Sequence, residues 1–137
     1  MKMRTFLVSD LAAVDKRTNT LSIFNIIGEL NAESFPVIVP RLTVVMVFER
    51  KENEEEKQGV VLRIKQSGHK LFEAQITLDF QGKLVARSIV EIRALMVERS
   101  EPLVFQLLRN GRQIATYPVL LLAKAGIAEP KRETGSA

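Results

Sequence analysis

Polar and apolar residues alternate along most of this chain. In "KLFEAQITLDFQG", Phe72, Ala74, Ile76, Leu78 and Phe80 fall on one face, with Glu73, Gln75, Thr77, Asp79 and Gln81 on the other. A period of two marks a half-buried strand, because successive side chains leave a strand on opposite faces. "GVVLRIKQS" repeats the pattern with Val60, Leu62 and Ile64, and the connector "QSGHK" sets Gly68 between the two runs as a hairpin needs. Two further runs in "PLVFQLLRNGRQIATYPVLLLA" flank Asn110-Gly111. Both residues tolerate the positive φ of a type I′ turn, so a C-terminal β-hairpin is expected there. At the other end, Arg4–Ser9 and Leu21–Gly28 read as strands around the polar turn "DKRTNT".

The segment "LVARSIVEIRALMVERS" fits two periods. As a strand it puts Ala86, Ser88, Val90 and Ile92 inward and leaves Arg87 and Ile89 outward. As a helix it aligns Val85, Ile89, Ile92 and Met96 in a stripe. No cap residue opens a helix, and the neighbouring strands need a partner, so a strand with a bend near Ala94–Met96 is the preferred reading over 85–97.

The stretch "SFPVIVPRLTVVMVF" places two prolines before the most strand-like segment of the chain. Proline cannot donate to a ladder and pushes its predecessor into extended geometry. "PVIVP" is therefore expected to be extended but unpaired, a connector crossing between sheets. Phe35, Val37 and Val39 are expected to bury against the end of the fold, or, on the alternative reading, to be offered to a partner. Three runs are apolar on both faces: Leu42–Phe48, Leu103–Leu108 and Val119–Leu122. Such runs need a second cover, which is either another part of the same chain or a partner chain.

Seven to eight short strands with closely spaced turns predict an all-β fold, an antiparallel, immunoglobulin-like β-sandwich. One domain over residues 1–124 is expected, followed by a flexible tail over 125–137, which has no period and many small and charged residues. The total of 137 residues suits a single domain. The N-terminus reads as a first strand, because Ser9 and Asp10 interrupt the apolar run too early for a secretory signal.

Composition narrows the function classes. The chain has no cysteine, which removes thiolate chemistry and fits a cytoplasmic location. The net charge of +4 is spread along the strands, and there is no Trp and one Tyr. A nucleic-acid binder would show a basic stripe with stacking aromatics, so no nucleic acid is expected. No apolar run is long enough for a membrane helix, so no membrane association is expected. Residues 49–57, "ERKENEEEK", carry five negative against three positive charges and read as a solvated hairpin tip.

His69 is the single histidine and lies in a turn, so a His-based metal cluster or triad has little to build on. Asp10, Asp15 and Glu33 could meet at one end of a sandwich, but no calcium-loop spacing supports them. No cofactor, metal or catalytic residue is assigned. The reading is a non-catalytic β-sandwich interaction module that binds a protein partner or forms a homo-oligomer. Its candidate partner surface is Phe35, Val37, Val39, Arg87 and Ile89. The alternative is a carboxylate-dependent enzyme or carbohydrate-active domain, which would need two acids at a fixed separation.

The segments "RTFLVSDLAAVD", "LSIFNIIGELNAESFPVIVPRLTVV" and "EPLVFQLLRNGRQIATYPVLLLA" resemble a family of uncharacterised bacterial proteins of about this length. The matching positions are Asp10, Ile23-Phe24, Phe35-Pro36 with Pro40, and Pro118. The resemblance spans most of residues 4–123 and implies an all-β sandwich with no assigned activity. The acidic loop departs from the family pattern.

Overall fold

A computed structural model describes residues 1–123, and the tail expected over 125–137 lies outside the described residues. Among the described residues, nine strands form two packed sheets: β1 (Lys2–Asp15), β2 (Thr20–Ile26), β3 (Glu29–Ala32), β4 (Val37–Glu49), β5 (Lys57–Gln66), β6 (His69–Asp79), β7 (Val85–Val97), β8 (Leu103–Arg109) and β9 (Arg112–Ala123). One sheet has the order β2-β1-β4-β7 and the other β3-β9-β8-β5-β6. The all-β sandwich read from the alternation is therefore the fold. Its extra strand is β3, four residues too short to show a period, which pairs parallel to β9. Residues 85–97 are a strand, as preferred.

The hairpin turns follow their residue chemistry. Asn110 and Gly111 adopt φ of 52° and 76°, and Ser67 and Gly68 adopt 47° and 81°. Both are the left-handed pairs that a two-residue turn needs to match strand twist. The core lies between the sheets, with Phe48, Phe80, Phe105, Leu42, Met46, Leu62 and Ile64 among its largest fully buried side chains.

The region between the prolines corrects one expectation. Val37, Ile38 and Val39 are not unpaired: they ladder with Val97, Met96 and Leu95 of β7. The ladder skips one position, where Pro40 stands opposite Ala94. Pro40 has no N–H to give, and Ala94 sits at φ 54°. The buried positions run Val37 (half-buried) and Val39, then Leu42, on β4, and Val97, Leu95, then Ile92 on β7. Both strands thus change the face they bury at the same point and keep their register. Pro40 does withhold a donor, but one skipped rung does not end a ladder. The expected bend at Ala94–Met96 is this kink.

Ala94 carries a left-handed conformation that a Cβ disfavours by about 1–2 kcal/mol. Ala94→Gly is expected to raise stability by up to about 1 kcal/mol, and Ala94→Val to lower it by about 1–2 kcal/mol. Chemical denaturation of the three proteins checks the ordering.

A second turn of the chain explains the two-sided run in β4. The register places Thr5, Leu7 and Ser9 of β1, Thr43, Val45 and Val47 of β4, and Arg87, Ile89 and Glu91 of β7 on the outer face. Val45 is nevertheless 0% exposed. Thr5 lies beside Val47, and ten further residues of extended β1 would carry Asp15 about 33 Å away. Yet Asn19, just beyond Asp15, accepts from Arg87 Nη2 through its Oδ1 and its carbonyl, the latter at 3.3 Å. Asn19 and Leu21 also share a cleft with Thr5, Val47 and Arg87. The distal β1–β2 hairpin therefore folds back over the outer face as an arm. It leaves β4 where Thr43 Oγ1 donates to the Asp10 carbonyl at 3.1 Å, and Asn25, opposite Asp10, takes φ 56°.

Candidate functional site

The chemistry-bearing residues are dispersed. His69 is exposed at the start of β6. Asp15 accepts from the Arg17 amide at 2.9 Å within its own turn, while Asp10 pairs with Arg41, so the carboxylates that might have met do not. Among the described residues, no group of three His, Cys, Asp or Glu side chains could hold a metal ion. Tyr117, the residue a sugar platform would use, packs against the core and donates its hydroxyl to the Ile27 carbonyl at 2.7 Å.

A cleft of about 360 Å³ where β1 leaves β4 is lined by Asp10, Pro40, Arg41 and Arg93. Arg41 Nη2 donates to Asp10 Oδ1 at 3.0 Å, and Arg93 Nη2 meets Glu91 Oε1 at 2.8 Å. Two guanidinium groups and two carboxylates neutralise one another there. Partly exposed pairs of this kind contribute roughly 0–1 kcal/mol each. On the other sheet, the hydrogen bond from Arg63 Nε, at 2.8 Å, holds the Glu73 carboxyl below its ordinary range, and Lys70 adds to the effect. A general acid needs the opposite shift.

The long flank between the sheets is different. β6 ends the five-stranded sheet and β7 ends the four-stranded one, so their free edges run side by side. A groove of about 510 Å³ lies between them, lined by Leu71, Phe72, Ile92, Ala94, Leu95 and Met96 with charges at its rim. Phe72, Ala74 and Ile76 of β6 point inward yet are only half-buried, as is Val90 of β7. The opposite flank is closed. There the chain crosses between sheets at Ile27–Gly28, held by Ile27 N donating to the Val8 carbonyl at 2.8 Å and Leu120 N donating to the Gly28 carbonyl at 3.0 Å.

The five candidate surface residues divide into two groups. Phe35 and Val37 pack half-buried against the core and Val39 is 8% exposed, so these three fill the end of the sandwich. Arg87 and Ile89 lie on the outer face of β7, with Ile89 37% exposed and Arg87 tied to Asn19. The structure does not bring the two groups together.

Residues 4–121 match the model of a family of unknown function, DUF6941. The chain belongs to that family. The DUF6941 match runs from β1 into β9 and so includes the arm, both free edges and the acidic loop. No curated protein matches the chain. No helix among the described residues is long and apolar enough to cross a membrane.

Sequence reasoning missed Arg50. It is 8% exposed, at the start of the acidic loop, and its guanidinium donates to the carbonyls of Lys83 at 2.9 Å and Glu54 at 3.0 Å. The loop's carboxylates are mostly exposed, as a solvated tip would have them, but its backbone is wound around this one cation. Nothing in the pattern of charges separates Arg50 from its neighbours.

Proposed function

We propose that this DUF6941 domain is a non-catalytic interaction module that binds protein through its β6/β7 flank. The observation that supports this reading is the open edge groove. Edge strands present unpaired N–H and C=O groups in a row, and natural sheets usually cover, shorten or charge them. Here two long edges lie beside incompletely buried core side chains. An added strand would satisfy the backbone groups while Phe72, Ile76 and Val90 lose their remaining contact with water.

Other exposed apolar residues lack that combination. Leu11 and Phe24 form a cross-strand pair on the arm, and Leu120 and Leu122 line the outer face of β9. β9 is paired on both sides, whereas β2 also ends its sheet, but no residue of β2 packs against the core, so its edge has no half-buried core side chains beside it.

Affinity purification from the native host tests the reading with two variants. Ile89→Lys combined with Met96→Lys is expected to lose a protein that co-purifies with the wild type. Leu120→Lys combined with Leu122→Lys is expected to retain it. Loss with the β9 pair and retention with the flank pair would move the binding surface to the other sheet.

A further inference from the structure

The free edge of β7 carries a charge pattern that is complementary to itself. Its outer-face residues run Arg87, Ile89, Glu91, Arg93. The regular part of the strand starts at Val85 and ends before the kink at Ala94, so it covers 85–93 with Ile89 at its centre. When two such strands pair antiparallel about a two-fold axis at Ile89, Arg87 of each copy stands opposite Glu91 of the other. Val85 then stands opposite Arg93, the last rung before the kink, so the whole regular stretch is used.

Registers shifted toward the kink oppose like charges: an axis at Val90 sets Arg87 against Arg93, and an axis at Glu91 sets that carboxylate against itself. An axis at Ser88 sets Arg87 against Ile89 and Val85 against Glu91, and so loses both charge pairs. Like charges directly opposite destabilise a strand pair, whereas opposite charges stabilise it. The exposed Ile89 would be covered by its own symmetry mate. Arg87 keeps donors free for the second copy while it holds Asn19, since a guanidinium carries five N–H groups. The arm reaches β7 at Arg87 through Asn19, and β7 has no strand paired on its other side.

We infer that the occupant of the β7 edge is a second copy of this chain, which joins the two four-stranded sheets into one of eight strands across an isologous two-fold contact. This rests on the flank being the association surface, and names its partner. A nine-residue ladder buries an area at the small end of specific interfaces, so dissociation in the micromolar range is expected.

Sedimentation equilibrium over a wide concentration range reads the result. The wild type is expected to shift from monomer to dimer. Arg87→Glu and Glu91→Arg, each alone, place like charges opposite one another twice and are expected to weaken self-association tenfold or more. An equimolar mixture of the two variants restores both attractive pairs and is expected to form a heterodimer. Should Glu91→Arg unfold beside Arg41 and Arg93, Ile89→Asp sets two carboxylates on the axis and is expected to give the same loss. A wild type that stays monomeric throughout, or single variants that dimerise as the wild type does, overturns self-pairing. Capture of a partner that the Ile89/Met96 variant loses would then uphold the flank reading alone.

Discussion

Val45→Asp is expected to lower stability by about 4 kcal/mol or to prevent folding altogether. Pattern alone leaves that outcome open. Val45 lies on the outer face of β4, where a single sheet of a sandwich ordinarily meets water, and a charge there would be tolerated. In this chain the β1–β2 arm folds back over that face and Val45 is fully buried, with Leu7 and Ile89 as its lateral neighbours. A carboxylate would lose its hydration and gain no partner. Ile89→Asp, one strand away on the same face, is expected to change monomer stability by about 0.5 kcal/mol or less, because Ile89 is at the rim. Urea unfolding monitored by circular dichroism checks both. Near-equal, small effects would mean that the arm does not lie where Asn19 and Arg87 place it.

The second large effect concerns the loop after β4. Arg50→Met is expected to cost about 3 kcal/mol, or roughly 10 °C in Tm for a domain of this size. Methionine nearly fills the space and keeps the contact with Phe80, over whose ring the guanidinium carbon now sits at 5.6 Å. It cannot donate to Lys83, Lys51, Glu52 and Glu54, whose carbonyls all accept from Arg50. The variant loses several hydrogen bonds from a charged donor, each worth more than a neutral one. Arg50→Lys is expected to recover less than half of the loss, since a compact ammonium cannot span carbonyls that a planar fork reaches together. Differential scanning calorimetry of the three proteins gives the order wild type, Lys, Met.

These two residues show where legibility in the sequence ended. The strands themselves were readable, because Phe72 to Phe80 alternates without interruption and Val60 to Ile64 departs from alternation only at Val61. The turns were readable from Gly68 and from Asn110-Gly111, residues that tolerate positive φ. Long-range covering was not. The run from Leu42 to Phe48, apolar at six of seven positions, announces a need for cover on both faces, but not whether the cover is the chain's own arm or another molecule. Arg50 and Asn19 act through backbone carbonyls or a single distant side chain, and such contacts leave no periodic trace. The kink at Pro40 and Ala94 was half visible: the proline signalled a missing donor, but the paired left-handed alanine that lets the ladder resume did not stand out.

The candidate surface was legible to a similar degree. Arg87 and Ile89 were placed outward by alternation, and they do lie on the open side of β7. Pattern fits Phe35, Val37 and Val39 both to a filled end and to an offered surface; Phe35 and Val37 are half-buried against the core and Val39 is buried. What pattern could not supply was adjacency: that β6 and β7, consecutive in the chain, would end two different sheets and leave their edges together.

The account as a whole turns on association through that flank. Hydrogen–deuterium exchange of the wild type at low and at high protein concentration reads it amide by amide. Slower exchange within residues 85–93 on concentration, with 20–26 and 119–123 unchanged, is the predicted result. Slowing confined to the arm or to β9, with β7 unaltered, would contradict it.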